Sequence, residues 1–278
     1  MDSQKPVLKN LFSLPPHSLF RDENMVAWSV VPYDSLNRAP EERVNMLTRL
    51  GFSRFAFDWR EEHLSLLPKE IGLLHKNRIS LDAVWCWVDE RSSNGLLPEH
   101  EQLFRILEEA KQPTTIWIGV HYNFYEGLED SQKVEKVASV LKAIHKGASR
   151  SNSRIALYTH FGWLALPENQ VRVIEATGHD DIGIVFSFHH AQDVLDRFDE
   201  ALHIMKPYLQ TVHLSGVTRG VSEIIDIGKG TLEKTMIRSV IESGFKGTIG
   251  IIGHTEGEDV EQVLLRNIRG LSTLLKNL

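Results

Sequence analysis

Short apolar runs alternate with amphipathic stretches along this chain. "MVAWSVV" (25–31) is apolar and rich in β-formers. "APEERVNMLTRLG" (39–51) follows with helical spacing, Pro40 near its start and Gly51 at its stop. "FSRFAFDW" (52–59) predicts a second strand. A helical region then runs to about Arg78, with Leu66, Leu67, Ile71 and Leu74 spaced for one face. The cycle continues with strands at "ISLDAVWCWV" (79–88), "TTIWIGVH" (114–121), "RIALYTH" (154–160), "IGIVFSF" (182–188), "QTVHLS" (210–215) and "GTIGIIGH" (247–254). Helices are predicted over 98–112, 132–148, 167–178, 197–209, 232–244 and 258–277.

That makes eight strand-then-helix units. The strands are continuous apolar runs, as expected when both faces are buried. Parallel strands joined by helices in a chain of this length fit an α/β fold of the closed (β/α)8, or TIM barrel, kind. An open doubly wound sheet is the runner-up, but it usually carries a Gly-rich phosphate loop after its first strand. "VVPYDSLNRAP" contains no glycine. No linker or repeat marks a second domain, so 1–278 reads as one barrel domain, with 1–24 as an N-terminal extension.

Composition narrows the function classes. The net charge is −6 and no basic run stands out, which argues against nucleic acid or an anionic membrane as partner. No apolar stretch is long enough to span a bilayer. Cys86 is the single cysteine, so no internal disulfide forms. The N-terminal "MDSQKPVLKNLFSLPP" lacks a hydrophobic signal core. The chain as given therefore reads as cytoplasmic. A leader removed earlier would leave the same sequence, so secretion stays open.

In a barrel, active sites form at the C-terminal ends of the strands. Six of the thirteen histidines fall at or just past such ends: His121, His160, His189, His190, His213 and His254. Imidazoles gathered there suggest a polar reaction or binding site, although any one of them alone reads more simply as a hydrogen-bonded rim residue. As neighbours on extended backbone, His189 and His190 would face opposite sides, so at most one enters the mouth. Trp59, Trp87 and Trp163 are candidate walls for a sugar ring, or core filler. Trp85, taken to alternate with Trp87, ranks below it. Asp58 and Arg60 are candidate substrate contacts or a rim ion pair, and Arg38 is similar. "IGKG" (227–230) either offers backbone amides and Lys229 to a phosphate or needs glycine's backbone freedom, the simpler reading. No Ser nucleophile elbow, P-loop or HExxH is present.

Several stretches carry a family resemblance: "RAPEERVNMLTRLGFSRFAFDWR", "YTHFGW", "GIVFSFHHA", "VHLSG" and "IGKG". They resemble the xylose isomerase-like barrel superfamily, which groups sugar isomerases and epimerases with family 2 AP endonucleases. The nearest label within it is sugar phosphate isomerase/epimerase. The resemblance implies a divalent ion, often Mn²⁺, Mg²⁺ or Co²⁺, bound by a Glu ending strand five, an Asp ending strand six, a His on strand seven and a Glu ending strand eight. The glutamates would serve as the acid/base pair. Here those positions hold Tyr158, Ser187, His213 and Ile252. His190 matches the family histidine three residues after the strand-six Asp, and Gly216 replaces an Asp. A shift in alignment would bring in Glu256 as the strand-eight carboxylate.

Hard divalent ions need carboxylate oxygens, so the usual metal site is expected to be degraded. Zinc or another borderline ion on imidazoles such as His190 and His213, or no metal, are the remaining readings. The expected function is a sugar isomerase or epimerase-like enzyme, or a related lyase, acting on a sugar or keto-sugar. His160, His190, His213 and His254 would be catalytic. Asp58, Trp59, Arg60, Trp87, His121, Trp163, Ser187 and Glu256 would hold substrate. The alternative is a non-catalytic carbohydrate-binding barrel. A repair endonuclease would need a carboxylate-rich multi-metal site and a basic groove, and the sequence shows neither. The expected partner is a small sugar, with no nucleic acid and no membrane; a homo-oligomer is allowed.

Overall fold

The computed structural model describes residues 17–276 and 278. Eight parallel strands close in sequence order: β1 (Met25–Trp28), β2 (Arg54–Phe57), β3 (Ser80–Val88), β4 (Thr115–Val120), β5 (Arg154–Tyr158), β6 (Gly183–Ser187), β7 (Leu209–Leu214) and β8 (Thr248–Ile252). This is the (β/α)8 barrel that the alternation of apolar runs predicts. The helices are α1 (Pro40–Leu50), α2 (Glu61–Leu64), α3 (Leu67–Lys76), α4 (Pro98–Glu109), α5 (Asp130–Ala148), α6 (Pro167–Thr177), α7 (Phe198–Met205), α8 (Glu233–Glu242) and α9 (Val260–Leu275). None among the described residues is long and apolar enough to cross a membrane.

Contacts divide the chain into two compact units, one running to Asp82 and resuming at Thr211–Leu278, the other Ala83–Gln210. In the first, β1 pairs with both β2 and β8, so Val26 lies between Arg54 and Gly250. Helix α1 starts on Pro40, whose missing N–H would have no helical partner there. The Glu42 carboxylate accepts the Ala39 N–H at 3.0 Å. The helix stops at Gly51, whose φ of 93° favours glycine. Helix α1 is tied to α3 by a buried fork: Arg43 Nε and Nη2 donate to the two Glu70 oxygens at 3.0 and 2.9 Å. The predicted helical region to Arg78 is two helices, because Pro68 suits a helix start and not an interior.

The expected extension 1–24 lies outside the described residues as far as 16. From 17 to 24 it forms two short 3-10 turns, with Leu19 and Phe20 buried. Asn24 donates to the carbonyls of Leu19 and Gly247 at 2.8 and 3.0 Å, which anchors the segment beside the start of β8. In the second unit, β3 to β6 pair in order, with Trp87 opposite Gly119, Ile118 opposite Leu157 and Ala156 opposite Gly183.

Candidate functional site

Within Ala83–Gln210 the C-terminal ends of β3 to β6 bring aromatic rings and imidazoles together. Trp85 and Trp87 are two residues apart on β3 and so share a face. Their rings stack 5.8 Å apart, 25° from parallel. This corrects the expectation that Trp85 alternates with Trp87, since alternation separates neighbours and not residues two apart. Gly119 makes room for the pair: a Cβ there would overlap both indoles. Trp85 meets Tyr158 edge-on at 5.0 Å. Trp87 meets His121 at 5.7 Å and His160 at 5.2 Å, both edge-on. His160 lies 4.7 Å from His190, and Phe161 packs against both, at 4.8 and 4.4 Å.

Burial, with smaller effects from the His121 and His189 charges, pushes His160 down to about 4. Its imidazole is therefore neutral at neutral pH and offers one N–H donor and one acceptor. The expectation that His189 and His190 turn apart is not met. Residues 188–190 form a 3-10 turn and not extended chain, which sets the two rings 4.6 Å apart. His189 also reaches Phe161, at 6.1 Å. Ser187, at the end of β6, is fully buried, and its Oγ has no hydrogen-bond partner among the described residues. Trp163 has a different neighbourhood. It lies on a 3-10 turn beside Tyr125 at 5.8 Å, with the Lys133 and Arg172 cations 5.8 and 6.0 Å from its ring.

The other unit presents its own strand-end groups. Asp58 follows β2 and is buried. Its Oδ1 accepts the N–H groups of Val30 and Val31, both at 3.1 Å, while Oδ2 has no hydrogen-bond partner among the described residues. Burial raises its carboxyl to about 6, against the lowering effect of those amides and of Arg60. Arg60 donates to the Tyr33 hydroxyl at 2.8 Å and to the carbonyl of buried Trp59 at 3.1 Å. Tyr33 stacks on His254, ring centroids 3.6 Å apart. His254 is half-buried, which lowers its pKa, and its Nε2 lies 3.7 Å from Glu256. Glu256 stands four residues past β8, its side chain 98% exposed. Arg38 is held by Asp34 at 2.7 Å and Asp259 at 2.8 Å.

His213 on β7 is fully buried, 5.3 Å from the Trp28 ring. It pairs in register with Gly250, where a Cβ would overlap the imidazole. Burial pushes it down to about 3, so it too is neutral. Burial likewise pushes the Cys86 thiol up to about 12, which leaves no thiolate for nucleophilic work. Sequence reading missed Tyr33, which sits in a 3-10 turn beyond β1 and carries no pattern of its own.

The strand ends where the resemblance implies carboxylates are Tyr158, Ser187 and Ile252, all buried. The amides of "IGKG" are already engaged. Glu233, itself buried, accepts the N–H groups of Gly228 and Gly230 at 3.2 and 2.8 Å, and that of Val217 at 3.1 Å. Gly228 has a φ of 89°. The turn thus uses glycine's backbone freedom, and an internal carboxylate occupies the place an anion would take.

No protein-family model matches the chain, and neither does any curated protein. Solved structures do. A 3-keto-D-glucoside 4-epimerase from E. coli superposes with a TM-score of 0.69 at 15% identity, over 90% of this chain and 98% of that one. A D-psicose 3-epimerase with D-tagatose, from Clostridium cellulolyticum H10, gives 0.65 at 14% identity, over 90% and 96%. A xylose isomerase-like TIM barrel protein from Mycobacterium smegmatis in complex with magnesium gives 0.58 at 12%, over 85% and 88%. The fold is that of the xylose isomerase-like barrels.

Proposed function

We propose that this chain is a sugar-modifying enzyme of the isomerase or epimerase kind, acting on a sugar or keto-sugar through strand-end histidines. The observation that carries the reading is the cluster of Trp87, His160, His190 and Phe161, whose adjacent rings lie 4.4–5.2 Å apart. Aromatic faces seat the apolar side of a sugar ring, and imidazoles meet its hydroxyl or carbonyl oxygens. A neutral imidazole such as His160 can donate an N–H to a carbonyl oxygen without carrying charge. Beside it, His190 would move the proton on the adjacent carbon. Epimerases among the fold neighbours support the substrate class by analogy alone.

The residues do not fit a magnesium-type ion. Tyr158, Ser187 and Ile252 supply no carboxylate oxygen at the strand ends that would need one. If an ion is used, an imidazole such as His190 suits zinc better than magnesium.

The same loss of carboxylates favours a second reading, a carbohydrate-binding barrel without catalysis. Thermal shifts with ketoses, keto-sugars and their phosphates, followed by NMR of the products, separate the two. Stabilisation with interconversion supports the enzyme. Stabilisation with no conversion supports the binding barrel. No stabilisation by any of them removes both.

A further inference from the structure

We propose that His145, His179 and Asp181 form a binding site for a borderline divalent transition ion, such as Zn²⁺, at the N-terminal end of β6. The three residues belong to one unit and lie away from the strand-end histidines. His145 is in the last turn of α5, and His179 and Asp181 are in the link between α6 and β6. That link is shaped for the encounter. Gly178 takes a φ of 73°, which turns the chain out of α6, and the Thr177 hydroxyl accepts the His179 N–H at 3.1 Å. The two imidazoles stack with centroids 4.0 Å apart. His145 Nε2 lies 3.0 Å from one oxygen of Asp181 and 3.2 Å from the other.

One donor atom from each residue falls within 4.8 Å of the others. A tetrahedral ion with bonds of about 2.1 Å needs its donors roughly 3.4 Å apart. Small side-chain rotations close that gap, and both groups of the His145–Asp181 pair retain solvent exposure that permits them. His179 adds a second imidazole beside the His145–Asp181 pair. Two imidazoles and a carboxylate make a donor set suited to zinc, cobalt or nickel and poor for magnesium. The ion would tie the end of α5 to the segment entering β6. Binding to the folded state alone would raise the melting temperature.

The test uses full-length protein stripped with EDTA and titrated with ZnCl₂ by calorimetry, alongside melting curves with ZnCl₂ and with MgCl₂. The wild type is expected to bind one more Zn²⁺ than His145→Ala or His179→Gln, and a His160→Ala/His190→Ala variant is expected to keep the equivalent that His179→Gln removes. Asp181→Asn should weaken that site about tenfold or more. Zn²⁺ should raise the melting temperature of the wild type, with the rise lost in His179→Gln and absent with Mg²⁺. Far-UV circular dichroism checks that each variant is folded. Because His179 is on a surface link, the Gln variant should fold even if His145→Ala does not. Equal Zn²⁺ stoichiometry and affinity in the wild type and the folded His179→Gln variant would overturn the site, as would a wild type that binds no Zn²⁺.

Discussion

The imidazole of His160 meets the indole of Trp87 edge-on, ring centroids 5.2 Å apart and planes at 75°. Burial, with smaller effects from the His121 and His189 charges, holds His160 neutral, with its pKa pushed down to about 4. An unfolded histidine titrates near 6.5. Between those values the unfolded chain binds the extra proton, so stability is full above about 6.5 and falls as pH drops toward 4. His160→Gln should reduce the stability lost between pH 7 and pH 4.5 by about 2–3 kcal/mol, measured by urea unfolding at each pH. An unchanged pH slope would show that His160 titrates normally.

Asp58 has the opposite sign. Its carboxyl is raised to about 6 from the ordinary 3.8, so the folded state holds the proton longer than the unfolded chain. Ionisation therefore costs stability as pH rises through 6. Asp58→Asn keeps an oxygen for the Val30 and Val31 amides but cannot ionise. Its stability relative to wild type should climb between pH 4 and pH 8, by roughly 3 kcal/mol for two pKa units. Asp58→Ala, which strands both amides, should destabilise by about 2 kcal/mol or more. Thermal and urea unfolding of the two variants read both effects.

Gly250 gives the room that His213 occupies. Gly250→Ala should cost about 1–3 kcal/mol through overpacking. Adding His213→Ala should cancel part of that loss, because the smaller side chain vacates the space. A double-mutant cycle that comes out additive would contradict the contact.

The Arg43–Glu70 fork is buried on both sides, at 2% and 0% exposure. Arg43→Leu leaves a carboxylate without its partner in the interior and should cost about 3–5 kcal/mol. Arg43→Leu/Glu70→Leu should recover much of that. Melting temperatures of the single and double variants decide it.

The barrel was legible because each strand is a continuous apolar run with a helix behind it, and burial on both faces leaves few other folds. The ends were less so. β1 stops at Trp28 because Ser29 takes a φ of 55°, which no apolar count reveals. The strand-end rule singled out His160 and His190, whose rings lie 4.7 Å apart. It missed their true relation to His189, because a 3-10 turn replaces the extended backbone that alternation assumes. The stack of Tyr33 on His254 joins residues more than two hundred positions apart, and only the pairing of β1 with β8 creates it. The pair of His145 with His179 is also distant in sequence, and it lies at the N-terminal end of the strands, where the strand-end rule for active sites does not apply. Trp163, a candidate ligand wall from its place after β5, lies on the turn at Gly162–Ala165 with Lys133 and Arg172 near its ring, neighbours that its sequence position does not reveal.

Solvent deuterium incorporation into a ketose tests the strand-end histidine chemistry most directly. EDTA-treated protein is incubated in D₂O with ketoses that stabilise it, and exchange at the carbon beside the carbonyl is followed by NMR. The wild type is predicted to exchange that hydrogen with or without added Mg²⁺, and His160→Ala and His190→Ala to lose at least about a hundredfold in rate. Exchange that requires Mg²⁺, or that survives in both variants, would contradict the account.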